Sequence, residues 1–268
     1  MNALSRQTLN ARRFAAAAAA VLLMLPMMAA AQLDVMISGG FSGSYRKLLP
    51  EFERTSGVTV TTGSGASQGS GPQTVAAQLA RGVPVDVVIL SREGLTDLIA
   101  ANRIAAGTDV DLARVGIGAA VRAGAPKPDV TTVEAFKRAV LDARLVAIPG
   151  STSGIWLRNE LFPRLGIADK VRYIATARGT GATAMVASGD ADLGILPVSE
   201  ILNAHGVELA GVMPPEIQFP QTFSAAIVKG AKHAEAGKRL IQFLASEPAR
   251  AVIQQSGMEP LGTPGAGR

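Results

Sequence analysis

The sequence predicts an α/β fold built from doubly wound sheets, on three observations. Short branched-apolar runs alternate with stretches of helical period along the chain after residue 31. The joints where a run of the first kind empties into one of the second are rich in Ser and Gly. The pattern also begins afresh, so that similar βα blocks cover roughly 32–114 and 119–215, with a closing segment behind them.

The first block opens with Val35-Met36-Ile37, read as a buried strand. It runs into the small-residue turn Ser38 to Tyr45, after which Leu48, Leu49 and Phe52 set a helical period. A strand that empties through Ser and Gly into a helix offers bare backbone N–H groups and partial positive charge, which suits an anion without any lysine. Gly57 stops the helix, and the β-branched run to Thr62 is strand two. Gly63 to Pro72 is a second Ser/Gly segment, with helix character resuming at Gln73 and stopping at Gly82. Val85 to Leu90 is nearly all branched apolar, as expected of a parallel strand covered on both faces. Ser91 then introduces a helix carrying Leu95, Leu98 and Ile99.

Val115 to Val121 reads as one further strand. In the second block Thr132 to Val140 is helical and Leu145 to Ile148 is a strand. A third Ser/Gly corner, Pro149 to Gly154, leads into the helix Ile155 to Leu165. Val171 to Ile174 is a strand, and the turn holding Arg178 and Gly179 precedes the helix Ala182 to Ser188. Asp192 to Pro197 is the last strand of the block. Phe223 to Val228 and helices from Ala234 and Ser246 close the chain. In doubly wound sheets ligands sit outside the carboxyl ends of the strands, where these Ser/Gly corners lie.

Residues 1–31 read as an export signal. Arg6, Arg12 and Arg13 precede an apolar stretch from Phe14, and Ala29-Ala30-Ala31 fits the small-residue cleavage rule, so cleavage is expected near Ala31 and the mature protein in the periplasm. The whole chain has 26 basic and 21 acidic residues, and three of the basic ones lie in that segment. The mature form is then close to neutral, and with few aromatics nothing marks a nucleic-acid surface. Cysteine is absent, so disulfides, thiol catalysis and thiolate metal sites are excluded. His205 and His233 are the only histidines and sit in polar contexts, so neither a Ser-His-Asp triad nor a multi-histidine zinc site is expected. No cofactor and no metal is expected.

The motif order then becomes recognisable. The segments EFERTSGVTV, QLARGVPVDVVILS, PGSTSGIWLRNEL and GDADLGILPVSEI resemble the periplasmic molybdate-binding proteins of ABC importers, and more broadly the type II solute-binding proteins. The Ala80–Ile89 segment, with Asp86 opening its strand, is the most specific part. The resemblance implies two doubly wound α/β lobes joined by two crossing strands, with a cleft between the lobes. Its boundaries are a first lobe of residues 32–116 and 222–268 and a second of 117–221. It also implies a monomer that binds a small anion without turnover and hands it to a membrane ABC permease.

In that family serine hydroxyls, backbone N–H groups and commonly a tyrosine hold an oxyanion. The first family serine falls at Gly40, flanked by Ser38 and Ser42, with Phe41 beside them. The second jaw offers Ser67, Gln68, Gly69 and Ser70, and the third offers Ser153. The family tyrosine falls near Pro197, while Arg178 and Gly179 lie where the family uses backbone N–H groups. A guanidinium suits a carboxylate bidentately, so a small organic acid stands beside a molybdate- or tungstate-like oxyanion as ligand. An exported serine hydrolase is the enzyme alternative, and the sequence supplies it with no general-base histidine.

Overall fold

The computed structural model describes residues 32–262, so the expected export signal lies outside the described residues. Two mixed sheets form the frame. The first has six strands in the order β11-β4-β10-β3-β1-β2 and the second five in the order β7-β6-β8-β5-β9. In the first sheet β1 (Gln32–Ile37) runs parallel to β2 (Thr59–Ser64) and β3 (Val87–Ser91). The late strand β10 (Gln221–Ile227) inserts antiparallel between β3 and β4 (Val110–Val115). β11 (Glu259–Pro260) adds a short edge. In the second sheet β6 (Val146–Pro149) is parallel to β7 (Tyr173–Thr176) and to β8 (Leu193–Pro197). β5 (Ile117–Arg122) lies antiparallel between β8 and β9 (Val207–Val212).

The alternation of side chains along each strand sorts residues onto two packed faces. Val87 and Ile89 join one core with Leu33, Val35 and Ile37, whereas Val88 and Leu90 join another with Met36 and Leu95. The second sheet is covered in the same way, by a cluster around Phe136, Leu161 and Phe162 and by one around Ala182, Val186 and Ile201. Each fully buried Leu or Phe contributes about 1.5–3 kcal/mol by removal from water. With no cysteine, these four clusters hold the chain together.

The first helix, α1 (Gly39–Ser56), starts earlier than the sequence pattern implied. Phe41, Tyr45, Leu48 and Phe52 recur at helical spacing and all bury on the first core, so the supposed turn is the first two turns of the helix. Gly57 ends it in the left-handed conformation (φ +68°), its N–H bonded to Glu53 O. The helix after the second Ser/Gly segment begins at Val75 rather than Gln73, because the Thr74 side chain caps it by accepting from Ala77 N.

The strand expected over Val115 to Val121 is two strands in different sheets, β4 and β5, divided at Gly116. This is one crossing between lobes, and the other returns through Gln218 into β10. Gln218 joins the two. Its Oε1 accepts from Ile117 N (2.6 Å) and Phe219 N (3.0 Å), and its Nε2 donates to Ile117 O (3.1 Å) and Met213 O (3.0 Å). A Cβ on Gly116 would sit 3.2 Å from that amide. Trp156 stacks on Phe219 at 5.0 Å, bracing the same region. Asp86 orients backbone, accepting from Asp34 N and His233 N at 3.0 Å each.

Candidate functional site

The carboxyl ends of strands from both sheets face one another across a narrow cleft. Four hydrogen-bonded pairs cross it. Gln68 N–H donates to Ser151 Oγ (3.1 Å), and Ser91 Oγ pairs with Thr152 Oγ1 (2.8 Å). Ser199 Oγ donates to Gly40 O (2.8 Å), and the Arg178 guanidinium donates to Ser64 Oγ. The lobes are therefore closed, and the space left between them is about 20 Å³.

Six of the residues singled out in the sequence line this space: Ser38, Gly40, Ser67, Ser153, Arg178 and Gly179. Their roles differ. Ser38 is buried and its Oγ has no hydrogen-bond partner. Ser67 Oγ is committed to the chain, accepting from Ser91 N at 2.9 Å. Gly40 admits the Phe223 ring, which a Cβ there would meet.

The other six do not line this space. Phe41 is fully buried in the first core, because the early start of α1 turns it inward. Ser42 Oγ bonds back to Gly39 O (2.7 Å) and lines an outer hollow. Gln68 sends its side chain to Asp97 (2.8 Å), away from the cleft. Gly69 and Ser70 are exposed at the far end of a loop, because the segment arches over before Thr74 caps the next helix. Pro197 is the last residue of β8, paired with Ile117 in the sheet, and does not line the cleft.

Glu200, not singled out in the sequence, takes the place anticipated at Pro197. It sits in the first turn of the helix α8 (Val198–Leu202), one turn beyond the end of β8. Its carboxyl lies between the first residues of two helices, α1 and α7 (Gly179–Ser188). A Cβ on Gly39 would come within 2.6 Å of Glu200 Oε2, and one on Gly179 would overlap it. Oε2 is excluded from solvent and has no hydrogen-bond partner, although the residue as a whole keeps some exposure. Burial pushes the carboxyl up from 4.5 to about 7, with the nearby Arg178 charge opposing. Gln221, at the start of β10, adds a third orphan to the same lining, its Oε1 also without a partner.

The cleft thus joins donors for anions to a carboxyl poised between ionised and neutral. Helix starts at Gly39 and Gly179 and the Arg178 guanidinium favour negative charge. Three buried polar atoms, on Ser38, Glu200 and Gln221, are left without partners around one small space. Such orphans are rare in folded proteins, and their convergence makes this space the candidate ligand site.

A family model described as bacterial extracellular solute-binding protein matches residues 33–259. The chain belongs to that family. Among relatives of this extracellular solute-binding protein, one from a Pseudomonas species named aconitate isomerase is 38% identical over 242 residues, spanning 88% of this chain and 92% of its own. The Azotobacter vinelandii periplasmic molybdate-binding protein superposes with a TM-score of 0.70 at 23% identity, covering 84% of this chain and 98% of its own. The sulfate-binding protein SubI of Mycobacterium tuberculosis H37Rv gives 0.68 at 20% identity, covering 86% and 87%. These two structures establish the fold, that of the solute-binding proteins of ABC-type transporters. The expected kinship with molybdate-binding and other type II solute-binding proteins is thereby found, while one relative carries the name of an enzyme.

Proposed function

We propose that this solute-binding protein takes a small unsaturated polycarboxylate of the aconitate type into its interlobe cleft and catalyses its cis–trans isomerisation. The observation that carries this reading is Glu200, a solvent-excluded, unpaired carboxyl titrating near neutrality inside a cleft otherwise suited to anions. A receptor for a fully ionised oxyanion gains nothing from a carboxylate facing its ligand, since like charges repel in a poorly solvated site. A carbon acid makes use of it, because a general base works best when its pKa lies near the operating pH.

The chemistry follows from the substrate's connectivity. Aconitate carries a carboxylate-bearing methylene beside a carbon–carbon double bond. Glu200 as carboxylate removes one methylene proton, and the C–H electrons move into a new double bond. The old double bond's electrons shift toward its far carbon and its carboxylate. Glu200 then returns a proton to that far carbon. The double bond has moved by one position between two equivalent arms, so the constitution is unchanged, and the conformation in which the cleft holds the second arm sets the new geometry. One proton leaves carbon and one returns, with no oxidant or cofactor. Arg178, Ser38 and the N–H groups at the starts of α1 and α7, which border this space, would hold carboxylates and offset the charge of the dienolate. Gln221 presents its amide to the same space, with Nε2 available by a half-turn of the amide.

The family match favours a second reading, a receptor that binds such a carboxylate unchanged and delivers it to a membrane permease. Incubating the purified protein with cis- or trans-aconitate and following both isomers by chromatography separates the two. Isomerisation reaching one equilibrium from either side is expected. Glu200→Gln should lower kcat by about 10²–10⁴-fold while binding persists. A thermal shift with aconitate but no interconversion leaves the receptor reading. A shift with molybdate or tungstate alone overturns the carboxylate reading.

A further inference from the structure

Glu200 borders two spaces. On one side is the closed cleft of about 20 Å³. On the other is an outer hollow of about 280 Å³, which shares only Gly39 and Glu200 with the cleft. Polar residues on its walls are Ser42 and Arg46 from α1, Thr180 and Thr183 from α7, and Asn203 and His205 beyond α8. Glu200 is the partition between them. Its Oε2 is cut off from water, whereas the residue as a whole retains exposure. The front of the cleft is crossed by the Gln68–Ser151 and Ser91–Thr152 pairs, whereas the hollow behind Glu200 is the roomier of the two spaces that the carboxyl borders.

We propose that Glu200 exchanges its proton with solvent through this rear opening while the lobes, parted enough to admit it, hold the ligand. The inference rests on the isomerase reading and adds a route to it. In each turnover the proton taken from the methylene rests on the Glu200 carboxyl. There it is traded for a hydrogen from water, and the carboxyl returns that hydrogen to the other carbon, so the proton count closes. The charged and titratable groups around the carboxyl are Arg178 on the cleft side, and Arg46 and His205 on the rear. None of the three is hydrogen-bonded to Glu200.

The test uses substitutions that narrow the opening without touching the cleft. Ala184, on the outer face of α7, and Ala204, after α8, line the hollow and not the cleft. The full-length protein and its Ala184→Leu and Ala204→Leu variants are given aconitate in deuterated water. Deuterium in the product is read by mass spectrometry at low conversion. The parent should place close to one solvent deuterium in each isomerised molecule. The narrowed variants should isomerise with a several-fold lower deuterium content, because more of the original proton is returned. Equal deuterium content in parent and variants overturns the proposal while leaving the isomerase reading intact. Absence of isomerisation by the parent overturns the isomerase reading instead, and the rear opening is then judged on Glu200's own titration. That titration is followed by infrared difference spectroscopy and assigned with Glu200→Gln. Closing a water path to a carboxyl raises its midpoint, so a midpoint unmoved by Ala184→Leu and Ala204→Leu counts against the opening.

Discussion

Replacing Glu200 by Gln should stabilise the protein, and by an amount that depends on pH. In the folded state the carboxyl titrates at about 7, against an ordinary value of 4.5, chiefly because burial disfavours its ionised form. Folding therefore favours the protonated group. The stability it allows is fully present below pH 4.5, falls as pH rises, and levels off once pH passes about 7. A shift of that size corresponds to about 3 kcal/mol, and the residue's remaining exposure brings this to about 2 kcal/mol. For a chain of this length each kcal/mol moves Tm by about 2–4 °C. Differential scanning fluorimetry of parent and variant at about pH 5 and about pH 8 reads the effect, and the Tm gap should widen by about 4–8 °C toward the higher pH. Whatever the amide does by shape alone is common to both conditions and cancels. A gap that stays constant, or that narrows as pH rises, refutes the claim that this carboxyl is held neutral by its surroundings.

Two further outcomes follow from the same geometry. Arg178→Ala should weaken binding of a carboxylate ligand about 10–100-fold, the worth of a charge-assisted hydrogen bond, with Arg178→Lys recovering part of it. Isothermal titration checks this, and an unchanged Kd removes Arg178 from the site. Gln218→Leu should cost about 3 kcal/mol, since it orphans the Ile117 and Phe219 N–H groups where the crossings meet. A lower Tm and a larger ligand-free radius in small-angle scattering are expected, and an unchanged radius would mean that the amide does not restrain the hinge.

Much of this architecture is legible in the residues because it depends on local pattern. Val85 to Leu90 could only be a strand covered on both faces, and its residues divide between two cores as the pleat requires. Gly57 ends α1 where a left-handed residue was called for. Readings failed where tertiary context decides. β4 carries Asp111 and Arg114, which blur its alternation, but Asp111 is drawn into pairing with Arg92. β9 contains Gly211 and reads as too weak for a strand until β5 supplies its partner. The split at Gly116 leaves no trace in an apolar run that continues through it. Glu200 is the instructive omission. An acidic residue in a first helical turn reads as ordinary dipole complementation. Its environment appears only when Gly39 and Gly179, far apart in sequence, close upon it. The available signal was its place one helical turn past the cleft-facing end of a strand already assigned to the site.

The two bare Cα atoms beside that carboxyl have a practical consequence for anyone redesigning this scaffold. An alanine at residue 39 or 179 first meets the tip of the Glu200 side chain, the part best able to give way. Such a variant would keep its fold, yet carry its acid in the wrong spot. Screens that score fold integrity alone would pass it, so engineering at these two glycines has to be judged by what happens in the cleft.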